Sequence, residues 1–251
     1  MLIKIPACLA LCLSLFFSAS AQVVRFPDPA FKQALLGKAD TDHDGEIDAT
    51  EAKKVTKMYL EDTPFTSMEG IKAFSNLEEF GTYKNKIDQV DLSGMTSLKR
   101  LYLIGGDIRS INLKGCVNLE HLYLTGNKLK EVDFASFKKL TALALNYNQL
   151  TKAEISNFPA LKEVSLQENQ LSDCRISGCP RLVKLELQKN KLSGKLDLTG
   201  FPELEYFDAS YNQLASVDIR GLAKLKSFSC LYCALRTINV SGAQSLADII
   251  W

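Results

Sequence analysis

The sequence predicts an α/β solenoid, a stack of short parallel coils closed at its N-terminal end by a small helical cap. Three observations predict it. From Leu77 to Ser245 a phrase of about 21 residues recurs eight times in phase, and a fixed period of that size marks a stacked array. Each phrase opens on a period-two alternation, as in LEEFGTYKNKI, LKRLYLIGGDI, LEHLYLTGNKL and LTALALNYNQL, which is the pattern of a short strand with alternate side chains on opposite faces. Residues 22–54, by contrast, do not repeat and carry helix-start signals.

In chain order, residues 1–21 (MLIKIPACLALCLSLFFSASA) combine one lysine, an apolar run and an Ala-Ser-Ala ending. They read as a secretory signal peptide cut before Gln22, and the run is too short to favour a transmembrane anchor. Cys8 and Cys12 lie too early for a lipoprotein signal. The expectation is a secreted or otherwise extracytoplasmic protein, in the periplasm or at a cell surface, with no membrane insertion after cleavage. Cleavage leaves 29 basic and 29 acidic residues, a balance that argues against nucleic acid or an anionic membrane as the main partner.

Residues 22–54 form the expected cap. Asp28 followed by Pro29 is a helix entry, because proline at the first turn lacks only an N–H that would be unpaired anyway. Phe31, Leu35 and Leu36 then share a face. Next comes DTDHDGEIDATE, residues 40–51, in which acids and a glycine stand at fixed offsets. This stretch resembles the calcium loop of an EF-hand at every diagnostic place. The resemblance implies Ca2+ held by side-chain oxygens of Asp40, Asp42 and Asp44, the carbonyl of Glu46, a contact from Asp48 often relayed by water, and both carboxylate oxygens of Glu51. Gly45 makes the sharp turn, and Asp48 with Glu51 forms a capping box for the following helix. Six carboxylates in twelve residues repel one another by about 1 kcal/mol per close pair even in water, which a cation relieves. A single loop and a short exit helix point to a structural ion rather than a signalling one.

Residues 55–76 read as a degenerate first coil with Thr63 in its ninth place, and 77–251 as the array proper, ending in LADIIW, a strand without the rest of its coil. The array resembles the leucine-rich repeat, L-x-x-L-x-L-x-x-N-x-L, in phase over roughly two thirds of the chain. The resemblance implies a right-handed superhelix with a curved parallel β-sheet on the concave side and a mostly irregular convex side. Leucines at the fourth and sixth places go inward, and Asn85, Asn127, Asn148, Asn169, Asn190 and Asn212 at the ninth bridge to neighbouring backbone. Gly106 and Cys233 stand in that place in two coils, where the ladder should be weakest. Gly94, Gly115, Gly178, Gly200, Gly221 and Gly242 recur where the chain needs a positive φ, and a plug such as Met95, Phe137 or Phe158 follows. The coil from Leu182 has 22 residues, with its extra one near Gly194. Signal peptide, EF-hand-like cap and array together look like the internalin-type proteins of bacterial surfaces, although internalin caps generally lack a full calcium ligand set.

The outward strand places are expected to hold Tyr83, Tyr102, Tyr123, Tyr147, Tyr206, Tyr211 and Tyr232, seven of the eight tyrosines, among acids, amides, Arg100 and His121. Tyrosine joins a large apolar body to one polar tip and is enriched at recognition surfaces. The expected activity is therefore protein–protein interaction through a concave tyrosine-rich sheet, with a host or cell-surface protein as the partner class. A glycan-binding module is the alternative and an enzyme the less favoured one. His121 is the one histidine outside the acidic loop, and no Ser-His-Asp set, H-E-x-x-H motif or phosphate loop accompanies it. Of the five cysteines past residue 21, Cys116, Cys174, Cys179 and Cys230 fall on inward places and read as small core residues. Cys230 to Cys233 has the spacing of a C-x-x-C redox motif but lies along a strand and its end rather than at a helix start.

Overall fold

The computed structural model describes residues 22–61 and 64–251; the expected signal peptide and Thr63 lie outside them. Helix α1 spans Pro29–Ala39 and α2 spans Ala49–Lys54. The strands follow as β1 (Lys57–Leu60), β2 (Glu79–Tyr83), β3 (Gln89–Asp91), β4 (Arg100–Ile104), β5 (Ser110–Asn112), β6 (His121–Tyr123), β7 (Ala142–Ala144), β8 (Lys152–Ser156) and β9 (Glu163–Ser165). The remainder are β10 (Asp173–Ser177), β11 (Lys184–Glu186), β12 (Ser193–Asp197), β13 (Tyr206–Asp208), β14 (Gln213–Asp218), β15 (Ser227–Ser229), β16 (Thr237–Asn239) and β17 (Asp248–Ile250).

One parallel sheet of ten strands, in the order β1-β2-β4-β6-β7-β9-β11-β13-β15-β17, takes one strand from each turn of the chain. Its register is even: Leu101 pairs with Leu122, Leu122 with Leu143, and Leu143 with Val164. Because alternate residues face opposite ways, these side chains and their sixth-place neighbours all point inward and are buried. The opposite wall carries three separate small sheets, β3-β5, β10-β8 and β12-β14-β16, and the coil around Val132 has no strand there. Pairing of β12 with β14 slips between Gly194 and Lys195, close to where the longer coil fits its extra residue.

A single hydrophobic core runs the length of the stack and continues into the cap, where Phe31, Leu35, Ile47 and Ala52 are fully buried. Phe31 lies against Phe65 of the first coil, ring centroids 4.9 Å apart, and Phe26 lies 6.2 Å from Phe74. Leu36, expected on the same face of α1 as Phe31, is only partly buried; Ala39 takes the inward place one turn on. The turn glycines have positive φ except Gly200, and Asn157 adopts it, at φ 60°, in a coil without the glycine; asparagine tolerates that region better than other side chains.

The asparagines hold the coils together. Asn148 Nδ2 donates to Leu124 O of the preceding coil at 2.9 Å and to Leu145 O at 3.0 Å, while its Oδ1 accepts from Leu129 N at 3.0 Å. Asn169, Asn190 and Asn212 repeat the arrangement. Each thus pairs backbone groups that strands leave unpaired at a buried corner. Gly106 cannot join in: a Cβ there would lie 2.9 Å from Asn127 Oδ1 and 3.1 Å from Asn85 O. At the other exception the Cys233 thiol itself donates to Ala209 O, at 3.2 Å.

Candidate functional site

Two regions carry the residues singled out above, the acidic loop of the cap and the outer face of the ten-stranded sheet. In the loop, α1 starts on Asp28, whose Oδ1 accepts from Ala30 N at 2.9 Å and Phe31 N at 3.1 Å. The chain then turns through His43 (φ 64°) and Gly45 (φ 83°). Asp40 accepts from His43 N at 2.7 Å and Gly45 N at 3.1 Å, Asp42 from Asp44 N at 3.2 Å, and Asp44 from Glu46 N at 2.8 Å. These bonds hold the carboxylates of Asp40, Asp42 and Asp44 so that one oxygen from each lies within 4.8 Å of the others, close enough to share one cation. Hard carboxylate oxygens suit calcium rather than a soft metal.

The other three expected ligands are differently engaged. The Glu46 side chain pairs with Lys32 at 2.7 Å, leaving its carbonyl as the group the resemblance assigns to the ion. Asp48 caps α2 through Thr50 N at 2.6 Å and Glu51 N at 2.8 Å. Glu51 is buried and accepts from Thr41 N at 2.7 Å, Thr41 Oγ1 at 2.9 Å and Asp48 N at 3.1 Å. Burial works against its charge, yet these donors hold its carboxyl below the ordinary range. The structure therefore groups three of the six residues directly and ties Glu51 to the loop backbone beside them. The backbone of the loop is braced by residues 22–24, with Val24 N donating to Ile47 O at 2.8 Å and Ala49 N to Gln22 O at 3.0 Å.

Asp28 does a second job that its sequence position does not reveal. Its Oδ2 accepts from Thr66 N at 2.7 Å, Thr66 Oγ1 at 3.0 Å and Ser67 N at 3.1 Å, so one carboxylate caps α1 and ties the cap to the first coil. Burial opposes its charge, but the donors from Thr66, Phe31 and Ser67 bring its pKa down to about 2.

On the sheet, Tyr102 and Tyr123 stand side by side in register, their rings 5.1 Å apart and 13° from parallel. His121 lies 6.0 Å from the Tyr123 ring. Tyr206, on β13, lies under Lys184 Nζ at 5.4 Å, and Tyr83 is the last residue of β2. Tyr147, Tyr211 and Tyr232 are not on strands, contrary to the sequence reading. They sit one place before the ladder residue, in the turn, with φ of 56°, 59° and 56°. Each of the eight repeats from Leu77 onward turns through a positive φ at that place, whether lysine, glycine, glutamate or tyrosine occupies it. Tyr211 and Tyr232 meet there, centroids 4.8 Å apart. Four of the seven tyrosines thus stand on strands and three at the corner that follows.

The residue missed was Tyr59. It follows inward Met58 on β1 as Tyr102 follows Leu101 on β4, and its ring lies 6.1 Å from that of Tyr102. The first coil carries Thr63 where the others carry asparagine, so nothing in its sequence sets the register of this alternation. Gly81, between the two in register, makes room: a Cβ there would fall 2.5 Å from Tyr59 Cδ1. Beneath this row the carboxylate of Glu79 is buried and receives Lys57 Nζ at 2.9 Å, Arg100 Nη1 at 2.7 Å and Tyr59 OH at 3.1 Å. The bond from Lys57 keeps Glu79 ionised against its burial. Tyr59 is pushed up to about 12 by burial and by its bond to Glu79.

These coils carry the leucine-rich repeat fold. Residues 118–140 match the Leucine Rich Repeat family model, while no curated protein matches this chain in sequence. The solved structures it resembles include InlP of Listeria monocytogenes, at 19% identity and a TM-score of 0.68, over 89% of this chain and 69% of that one. Another is the functional domain of InlJ from Listeria monocytogenes, described as including a cysteine ladder, at 19% identity and a TM-score of 0.59, over 92% of this chain and 61% of that one. The chain also resembles the plant peptide hormone receptor RGFR1 in complex with RGF2, at 19% identity and a TM-score of 0.55, over 74% of this chain and 37% of that one. It thus spans under two thirds of the InlJ domain and of the receptor. The fold is that of an internalin-like array, and no helix among the described residues is long and apolar enough to cross a membrane.

Proposed function

We propose that this is an exported protein-binding scaffold, not an enzyme, that engages a protein partner on the concave face of its ten-stranded sheet and is stabilised by calcium in the 40–51 loop. The observation that carries the reading is the run of Tyr59, Tyr102 and Tyr123 over β1 to β6, flanked by Arg100 held on buried Glu79. Aromatic residues and arginine are the groups that dominate protein interfaces. They are pre-ordered here by stacking and by the Glu79 network, so little side-chain freedom is lost on binding. The bound peptide of the receptor named above is support by analogy of fold alone.

Ring orientation favours protein over glycan. Tyr102 and Tyr123 stack on each other, so each has one face occupied and offers edges and hydroxyls instead of two open faces. The acids and amides on β9 to β13, including Glu163, Glu186 and Asp208, remain the argument for a glycan. A screen of the intact protein on protein and glycan arrays tests the choice. Binding to a protein that drops at least tenfold in a Tyr102→Ala/Tyr123→Ala variant of unchanged stability supports the reading. Binding that survives the double substitution, or that appears only on glycans, overturns it.

A further inference from the structure

The last complete coil departs from the repeat at two cysteines, and the departure has a chemical consequence. Cys230 takes the sixth place, an inward leucine position, and is 1% exposed. Cys233 takes the ninth, the asparagine position, and is partly exposed. Their sulfurs lie 2.9 Å apart, brought together by a turn in which Cys233 N donates to Cys230 O at 3.2 Å. Cys233 also replaces the ladder amide: its thiol reaches Ala209 O at 3.2 Å, the same carbonyl that Asn212 Nδ2 reaches at 2.8 Å. The other three cysteines among the described residues, Cys116, Cys174 and Cys179, are not joined in any such contact with another cysteine.

We propose that Cys230 and Cys233 are a redox pair, closed to an intrachain disulfide by thiol–disulfide exchange, and that closure removes the last coil's hydrogen bond to the asparagine ladder. The oxidant is a small disulfide, RSSR, of the glutathione class. Cys233 is the attacking group. It is the more exposed, and the Cys230 thiol, working against burial and aided by the N–H groups of Asn212 and Leu214, lowers its pKa from the ordinary thiol value. A lowered pKa favours the thiolate, which is the nucleophile in exchange. Its sulfur attacks one sulfur of RSSR, forms the mixed disulfide Cys233–S–S–R and expels RS⁻. The Cys230 sulfur, which has lost its proton, then attacks Cys233 Sγ, forms the Cys230–Cys233 bond and expels the second RS⁻. Both leaving thiolates take up the two protons, so two cysteine thiols are oxidised and one RSSR becomes two RSH. Burial and its bond to Cys233 hold the Cys230 thiol protonated, which leaves it to resolve the mixed disulfide instead of starting the exchange. Once closed, Cys233 has no hydrogen to give Ala209 O, and the coil that begins at Leu225 loses its ladder bond while Leu231 N still donates to Ser210 Oγ at 3.1 Å.

The test equilibrates the intact protein with reduced and oxidised glutathione at a series of ratios, quenches in acid, unfolds, alkylates and reads each cysteine by mass spectrometry. The expected result is joint loss of alkylation at Cys230 and Cys233 as a single two-electron step, with Cys116, Cys174 and Cys179 alkylated throughout. Alkylation of all five at every ratio, or protection at a different pair, overturns the proposal. Cys233→Asn restores the amide of the other coils and keeps the variant folded; it should abolish the step. Hydrogen exchange then reads the ladder: oxidation should speed exchange of amides in residues 225–251 several-fold in the native chain and leave Cys233→Asn unchanged. Equal exchange in both redox states of the native chain would refute the link to the ladder.

Discussion

At the corner after most strands of the long sheet a neutral amide pairs with buried backbone from inside the core, whereas at the corner between α1 and α2 carboxylates pair with exposed backbone from the solvent side. Asn148 spends its donors and its acceptor on four backbone partners and leaves no charge behind. Asp40 likewise accepts from two N–H groups, but it keeps its charge, and so do Asp42 and Asp44 within 4.8 Å. The array therefore completes itself coil by coil, while the cap leaves three carboxylates facing one another. On the reading proposed above, dependence on a cation belongs to the cap alone.

The largest effect that separates the two regions is expected in the array core. Leu145 is fully buried at mid-array, and Leu145→Ala should cost about 2–5 kcal/mol in urea unfolding, with the loss the same in calcium and in chelator. A loss that calcium restores would break the distinction. Next comes the ladder. Asn148→Ala strands Leu124 O, Leu145 O and Leu129 N without their amide partner, and should cost about 3 kcal/mol on a scale of about 1–3 kcal/mol per buried unpaired group, again whatever the calcium. Substitution of Asn85 should cost less, because its amide donates within its own turn, to Thr82 Oγ1 and Tyr83 O, and its link to the preceding coil is the single 3.4 Å bond from Phe65 N.

Asp28 lies between the regions and sharpens the comparison through pH. Its folded pKa of about 2 is below the unfolded value of about 3.9, so the stability it contributes is complete above pH ~4 and is lost as pH falls through about 2. Comparing the native chain with Asp28→Asn across that window should show the native chain's advantage shrink toward zero at the acid end. An advantage independent of pH would mean that the carboxylate's charge does not tie cap to array. Loss of the Tyr102 and Tyr123 rings, given above as the test of the binding face, should have the smallest effect on stability, because both are only partly buried and lie outside the continuous core.

Much of this was legible in the residues. The eight-fold phrase gave the strands, the inward leucines and the ladder, because each depends on neighbours at a fixed offset. The corner tyrosines were misplaced for the same reason: a two-residue alternation was carried past Leu145 and Ala209, although the backbone leaves the strand there and takes a positive φ at Tyr147 and Tyr211. Tyr59 was lost because the first coil lacks the asparagine that announces the others. The second role of Asp28 and the Glu79 network join residues whose relation is set by packing of one coil on the next, and no local pattern marks them; the C-x-x-C spacing of Cys230 and Cys233 was visible, but not the turn that brings their sulfurs together. The loop was readable as a donor set, but the bonds from Thr41 to Glu51 follow from how α2 leaves the loop.

The most direct test is thermal unfolding of the native chain and of Asp40→Ala, each in calcium and in chelator. Calcium should raise the midpoint of the native chain and leave that of Asp40→Ala where chelator leaves it. An identical midpoint for the native chain in both conditions would contradict the claim that the cap is completed by an ion.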